Sequence, residues 1–250
     1  MQLDCRLSEA CGMMAADGCV QKSYICMWGN ITEDRNYYDF YISPLFFELF
    51  KKKFNVHEKK SNSVYGFYLC SKEIVKFFNE LEFPIGSKTY SIKVPEIILK
   101  SKDIVIYAAF IRGFTDCDGH LSFLKRNERY GYFKRNFHYY PRIFLSSTSY
   151  NLIKDISYML EYLGIKNSVI IDKSRKLNEH DRYRITLRGI ENLEKWIKIV
   201  GFSNSVNFTK YKIWKRFGFC PVNVSVIERT KILKGVVSLY LYYGHVAQFG

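Results

Sequence analysis

The chain has 250 residues, 48% hydrophobic and 25% charged, which is the balance of a folded globular protein with room for one large domain or two ordinary ones. Lys and Arg outnumber Asp and Glu by 38 to 24, a formal charge of +14, and a folded chain that basic calls for a polyanion, either nucleic acid or an anionic membrane surface. The apolar runs fall well short of the ~18 residues a spanning helix needs. Asp4, Arg6 and Glu9 interrupt any signal-peptide core, and the seven cysteines contain no Cys-x-x-Cys, so an intracellular, reduced protein with no membrane partner is expected.

In chain order, residues 7–16 read as an apolar, small-residue helix ending in Asp17-Gly18. Two strands are expected next, at residues 19–28 and 37–42. The second rests on the alternation of Tyr37-Tyr38-Asp39-Phe40-Tyr41-Ile42, with Phe40 and Ile42 facing inward. A helix over residues 44–54, strands near Val56 and over 64–69, and a helix over 72–81 complete the first half. Residues 84–102, with Pro84, Gly86 and Pro95, read as a linker. The same order then returns. A helix over 104–117 ends in Asp118-Gly119, and strands at 120–125 and 142–145 follow. A helix over 150–163, strands at 168–172 and 182–187, and a helix over 190–200 complete the second half. Residues 224–243 form an extra, helical tail. The period is the 101 residues between Asp17 and Asp118.

Ala10-Cys11-Gly12-Met13-Met14-Ala15-Ala16-Asp17-Gly18 and Ile111-Arg112-Gly113-Phe114-Thr115-Asp116-Cys117-Asp118-Gly119 both resemble the LAGLIDADG motif. Over residues 5–217 the chain resembles the monomeric, two-repeat LAGLIDADG homing endonucleases. The resemblance implies an α+β fold of two pseudo-symmetric αββαββα repeats, each with a curved antiparallel sheet, together forming a DNA-binding saddle. Residues 1–86 would be the first repeat, 87–102 the linker, 103–217 the second repeat and 218–250 an extension of unknown role. The implied function is site-specific cleavage of a long, asymmetric double-stranded DNA target by metal-dependent phosphodiester hydrolysis. A splicing maturase acting on intron RNA and a cleavage-dead DNA-binding regulator are the alternatives.

The residues suit that reading. Gly12 and Gly113 sit mid-helix, where glycine costs ~1 kcal/mol against alanine unless two backbones must approach. Crossing the two helices there would put Asp17 and Asp118 side by side at two negative dipole ends, an arrangement that a divalent cation relieves. Asp17, Asp118 and the backbone carbonyls of Ala16 and Cys117 are the expected ligands for Mg2+, with Mn2+ a substitute. Ala15 replaces the family's first acid, a structural one, which the second copy keeps as Asp116. The resemblance also implies an active-site lysine near the end of each repeat. Lys93 is preferred over Lys88 in the first, and Lys210 over Lys212 in the second. Polar side chains at strand ends, matched loosely by Ser43 and Ser146 or Ser147, would hold water. For DNA contacts, the strands and loops offer Lys22, Tyr37, Asp39, Tyr41, Lys125, Arg126, Arg129, Lys134, Arg135, Tyr140, Arg142, Lys173, Arg175, Arg182, Arg184 and Arg188. The five histidines show no ligand spacing.

Overall fold

The computed structural model describes residues 2–126, 138–174 and 180–242. Helix α1 (Cys5–Ala16) is capped by Asp4, whose side chain accepts the Leu7 N–H, and it packs along α6 (Ile104–Asp118), capped in the same way by Asp103. A Cβ on Gly12 would lie 2.1 Å from the carbonyl oxygen of Phe110, and one on Gly113 would lie 2.2 Å from that of Glu9. No other side chain permits so close a crossing, which is the physical reason for the two mid-helix glycines.

Each motif helix leads into a four-stranded antiparallel sheet. The first has β1 (Gly18–Val20), β2 (Tyr24–Asn30), β3 (Val56–Lys59) and β4 (Val64–Cys70) in the order β1-β2-β4-β3. The second has β5 (Gly119–Arg126), β6 (His138–Ser147), β7 (Ser168–Asp172) and β8 (Arg182–Arg188) in the equivalent order β5-β6-β8-β7. Within each repeat one helix follows the first strand pair and another closes the second pair. These are α3 (Ser43–Phe50) and α4 (Lys72–Glu80), then α7 (Tyr150–Tyr162) and α8 (Ile190–Ile199). The duplicated α+β order is therefore present, with a short α5 (Glu96–Ser101) between the repeats. One face of each sheet is buried against the helices, through Val20, Ile25, Met27, Phe67 and Leu69 in the first and Leu121, Ile143, Leu145, Ile185 and Leu187 in the second.

One strand expectation is corrected. Residues 19–28 hold both β1 and β2, a hairpin closed by the Gln21 N–H on the Tyr24 carbonyl at 2.8 Å. Residues 37–42 are helical: α2 (Arg35–Tyr37) runs through a π-helical turn (Tyr38–Ile42) into α3. Tyr37, Tyr38, Ile42, Leu45 and Phe46 are buried, which is a helical stripe, whereas Phe40, placed inside by the alternation, is 78% exposed. Pro44 has no N–H to give to the Phe40 carbonyl, and its ring would crowd that carbonyl in a regular helix. The wider turn, with the Ser43 N–H on the Tyr38 carbonyl five residues back, removes the conflict.

After α8 come α9 (Ser205–Phe217) and α10 (Val226–Leu233), which pack together. All seven cysteines are free thiols. Among the described residues no helix is long and apolar enough to cross a membrane.

Candidate active site and nucleic-acid interface

The C-terminal ends of α1 and α6 bring Asp17 and Asp118 together, close enough for the Asp118 charge to act on Asp17. Desolvation by the surrounding protein raises both carboxyls above the ordinary range, and for Asp17 the charge of Asp118 adds to it. Lys88 opposes the rise at both carboxyls, and Arg182 opposes it at Asp118.

Lys88, not Lys93, is the lysine at this centre. Its Nζ donates to the carbonyls of Met14 at 3.1 Å, Ala15 at 2.9 Å and Ala16, capping the end of α1. Burial lowers its pKa while the two aspartates hold it up. Lys93 points away and pairs with Glu82 at 2.7 Å on the surface. The sequence offers both lysines; a backbone bridge between Val20 and Ile85 and the Gly86 N–H on the Val20 carbonyl decide between them, because they swing the chain across the end of α1 just before Lys88.

Lys210 is half-enclosed on α9. Its Nζ lies 3.3 Å from His120 Nδ1, and burial and the nearby Arg229 lower its pKa to about 8. The residue that takes the place of Lys88 in the second repeat is Asn204. Its Nδ2 donates to the Asp116 carbonyl at 3.0 Å, and the 101-residue period maps Asp116 onto Ala15. The Asn204 amide also reaches Asp34 Oδ1 at 2.8 Å. Asp116 is buried and accepts the Ser203 N–H at 2.7 Å, and burial raises its carboxyl to about 8. Beside it, Arg112 spans the repeat junction with two bonds to Glu9, at 2.6 and 2.9 Å, and a third to the Val200 carbonyl.

The outward face of the second sheet is basic. Register sets Ser122, Arg142 and Arg188 in one row and Ser146 and Arg184 in another, with Arg182 opposite Asp172. Arg184 bonds Asp172 at 3.0 Å and lies over the Phe144 ring, so its guanidinium is already engaged. Tyr140 shares this face, whereas Lys125 falls on the parity of Leu121 and Phe123, the helix-packed side. Arg126 ends β5 opposite His138; Lys22 in the β1–β2 turn and Lys173 after β7 are exposed. Arg129, Lys134, Arg135 and Arg175 lie outside the described residues.

Tyr37, Asp39 and Tyr41 are not on a sheet. Tyr37 is buried, Asp39 accepts from the Tyr65 hydroxyl and Tyr41 donates to Glu9. Ser43 is likewise helical, whereas Ser146 and Ser147 line a cavity of about 340 Å³ with Lys88, Asp118 and Arg182.

The outward face of the first sheet is aromatic, a feature the sequence reading missed. Trp28 meets Tyr68 edge-on with ring centres 4.9 Å apart and His57 at 5.3 Å, and Lys59 lies over Trp28 and bonds the Tyr68 hydroxyl. The alternation of Tyr24, Cys26 and Trp28 was the available signal.

Residues 106–201 match the family described as LAGLIDADG-like domain. No curated protein matches the chain by sequence. Among solved structures, the fold matches I-DmoI in complex with DNA and Mn (TM-score 0.53, 16% identity, 80% of this chain and 97% of that one). It also matches the I-LtrWI LAGLIDADG homing endonuclease bound to target DNA (0.55, 14%, 84% and 89%). Meganuclease I-SmaMI bound to uncleaveable DNA is a third (0.54, 11%, 95% and 96%). The second repeat is thus similar to the LAGLIDADG-like domain, and the chain as a whole shares the two-repeat fold of these solved structures.

Proposed function

We propose that the chain is a site-specific double-strand DNA endonuclease acting on a long, asymmetric site with a divalent cation, Mg2+ or Mn2+. The observation that carries this reading is the pair Asp17 and Asp118, brought together where α1 and α6 end, each helix leading into its own four-stranded sheet. The donor set fits a hard cation. It consists of carboxylate and carbonyl oxygens, with the Cys117 thiol beside Asp17. Mg2+ is commonly held by one or two carboxylates plus water and phosphate oxygens, and raised carboxyl pKa values are what a bound cation would relieve. Asp17, Asp118 and the carbonyls of Ala16 and Cys117 would hold it, the Ala16 carbonyl being shared with Lys88 Nζ, and bound there it would polarise phosphate and acidify water. Lys88, held by the carbonyls at the end of α1, would set its positive charge near the reacting phosphate, where it would favour the transition state over the ground state as charge builds. Arg142, Arg182 and Arg188 offer guanidinium forks to phosphates or to guanine edges in the major groove.

The test starts with a cleavage selection in Mg2+ from a randomised DNA library, and the recovered site is cloned into a supercoiled plasmid. Asp17→Asn and Asp118→Asn should each abolish or strongly reduce linearisation while leaving specific binding largely intact, since an amide keeps the carboxylate's size and loses its charge. Either variant linearising the plasmid at the wild-type rate would refute the proposal.

A further inference from the structure

We propose that Cys19 and Cys26 form a reversible dithiol–disulfide couple, oxidised by a low-molecular-weight disulfide of the glutathione class, and that its state sets how firmly Lys88 is anchored. The thiol chemistry stands apart from the endonuclease reading, and only its effect on cleavage rests on that reading.

The β1–β2 hairpin places the two cysteines directly opposite each other. Antiparallel pairs alternate between bonded and unbonded registers. The Gln21 N–H on the Tyr24 carbonyl therefore makes Cys19 and Cys26 a hydrogen-bonded pair, with Cα atoms about 5.5 Å apart. A disulfide spans about 4.4–6.8 Å between Cα atoms, so the hairpin is already at the right separation. Both side chains take the outward parity of Tyr24 and Trp28, away from Val20, Ile25 and Met27, and the two thiols lie within hydrogen-bonding reach. Cys19 is half-buried and Cys26 buried, so an oxidant meets Cys19 first. Cys70, exposed at the end of β4, stands opposite Tyr24 and is only diagonal to Cys26.

The chain that delivers Lys88 couples this pair to the centre. The Cys19 thiol donates to the Gly86 carbonyl at 3.7 Å and accepts from the Gln21 side-chain amide at 3.0 Å. The Gly86 N–H is bound to the Val20 carbonyl at 2.7 Å, next to the bridge between Val20 and Ile85. Gly86 is thus tied to β1 through both its backbone groups, two residues before Lys88. A disulfide has no S–H, so forming it deletes the donor to the Gly86 carbonyl and turns the Cys19 sulfur toward Cys26. Gly86, at φ 92°, has the backbone freedom to turn that carbonyl to solvent once the donor is gone.

The exchange runs in two steps. The Cys19 thiolate attacks one sulfur of the small disulfide. Its S–S bond breaks, and one thiolate leaves with the electron pair and takes up the proton that Cys19 lost. The Cys26 thiolate then attacks the Cys19 sulfur and expels the second small thiol in the same way. Two protein thiols lose two electrons and two protons, and the small disulfide becomes two thiols. An excess of reduced thiol reverses both steps.

The experiment uses the full chain, equilibrated in buffers of fixed reduced-to-oxidised glutathione ratio, then alkylated, digested and read by mass spectrometry. A Cys19–Cys26 disulfide is expected at oxidising ratios, and reductant should remove it. Pairing of Cys26 with Cys70, or mixed disulfides at Cys5 and Cys70 alone, overturns the proposal. Brief acylation of amines is the second readout and needs no cleavage. Lys88 should be labelled about two- to tenfold more in the oxidised chain, the range that one hydrogen bond commands, with Lys93 unchanged. On the plasmid site recovered above, oxidation should slow cleavage by a similar factor. Cys19→Ser keeps a hydroxyl donor for Gly86, so its Lys88 labelling should stay at the reduced level in either buffer. Cys19→Ala keeps none and should stay at the oxidised level in either. Redox-independent labelling of Lys88 in the wild type, or equal labelling in the two variants, overturns the coupling. If either variant fails to fold, the wild-type labelling decides the matter. A chain that forms the disulfide and labels as expected, yet cleaves no DNA, upholds the couple and overturns the endonuclease reading.

Discussion

At the scale of single residues, the centre separates side chains that sit near each other in sequence but far apart in role. Lys88 and Lys93 are five positions apart; one caps carbonyls at the end of α1 and the other makes a surface pair with Glu82. Lys88→Met should lower single-turnover cleavage about 10²-fold or more, by loss of an oriented cation. Lys93→Met should leave cleavage unchanged and cost no more than about 1 kcal/mol of stability, the range of an exposed pair. Asp116 gives a pH signature. Its carboxyl titrates near 4 when unfolded and at about 8 when folded, because burial disfavours its charge. The folded state binds the extra proton between those values, so the stabilisation is complete at low pH and is lost as pH rises from about 4 to about 8. Asp116→Asn should flatten this decline, by up to about 1.4 kcal/mol per pH unit, in urea melts of the metal-free protein.

At the scale of elements, the crossing of α1 with α6 is the most demanding contact. Gly12→Ala would drive a methyl group into the Phe110 backbone, which cannot move as a side chain can. It should cost about 3 kcal/mol or more, the upper end for overpacking, read as a lower denaturation midpoint with an unchanged slope. This crossing was legible in the sequence, because a glycine within an apolar helical run has few other physical justifications. Residues 37–42 were not, since Tyr37, Tyr38, Tyr41 and Ile42 satisfy both a two-residue and a helical period, and only the tertiary burial of Tyr38 and the needs of Pro44 separate them. The choice of lysine was equally out of reach, depending on a bridge between Val20 and Ile85 distant in sequence. Asn204 escaped notice because a buried amide has no charge pattern to betray it. The sheets differ as elements too. Arg142 and Arg188 share a row on one outward face, and Trp28, His57 and Tyr68 cluster on the other. Arg142→Ala or Arg188→Ala should relax base preference at guanines under the second sheet only, by about 1–3 kcal/mol per bidentate contact. A loss that is equal on all sequences would mark that arginine as a phosphate contact.

At the scale of the whole molecule, the extension after α9 belongs to the core. Phe219, Cys220, Val224, Val226, Ile232 and Leu239 are all buried. Arg229 on α10 is almost wholly enclosed, bonding the Thr209 hydroxyl at 2.9 Å and the carbonyls of Val206 and Val224, and it reaches Glu33 of the first repeat at 3.3 Å. Glu33 also accepts the Val226 N–H, so α10 is fastened to the loop that carries Asp34. The extension therefore links the two repeats on the side of Asn204 and Asp34. Arg229→Met would leave carbonyls and the Glu33 carboxylate without their guanidinium, and breaking a buried pair by removing one partner costs about 3–5 kcal/mol. Glu33 is less enclosed than Arg229, so Glu33→Gln should cost less, roughly 1–2 kcal/mol. The double variant Arg229→Met with Glu33→Gln should then be less destabilised than the sum of the singles, because the orphaned carboxylate is gone from it. Denaturation of the four proteins measures this coupling. Strict additivity would mean that Arg229 acts through its own bonds to Thr209, Val206 and Val224 alone, and that the extension does not hold the repeats together through Glu33.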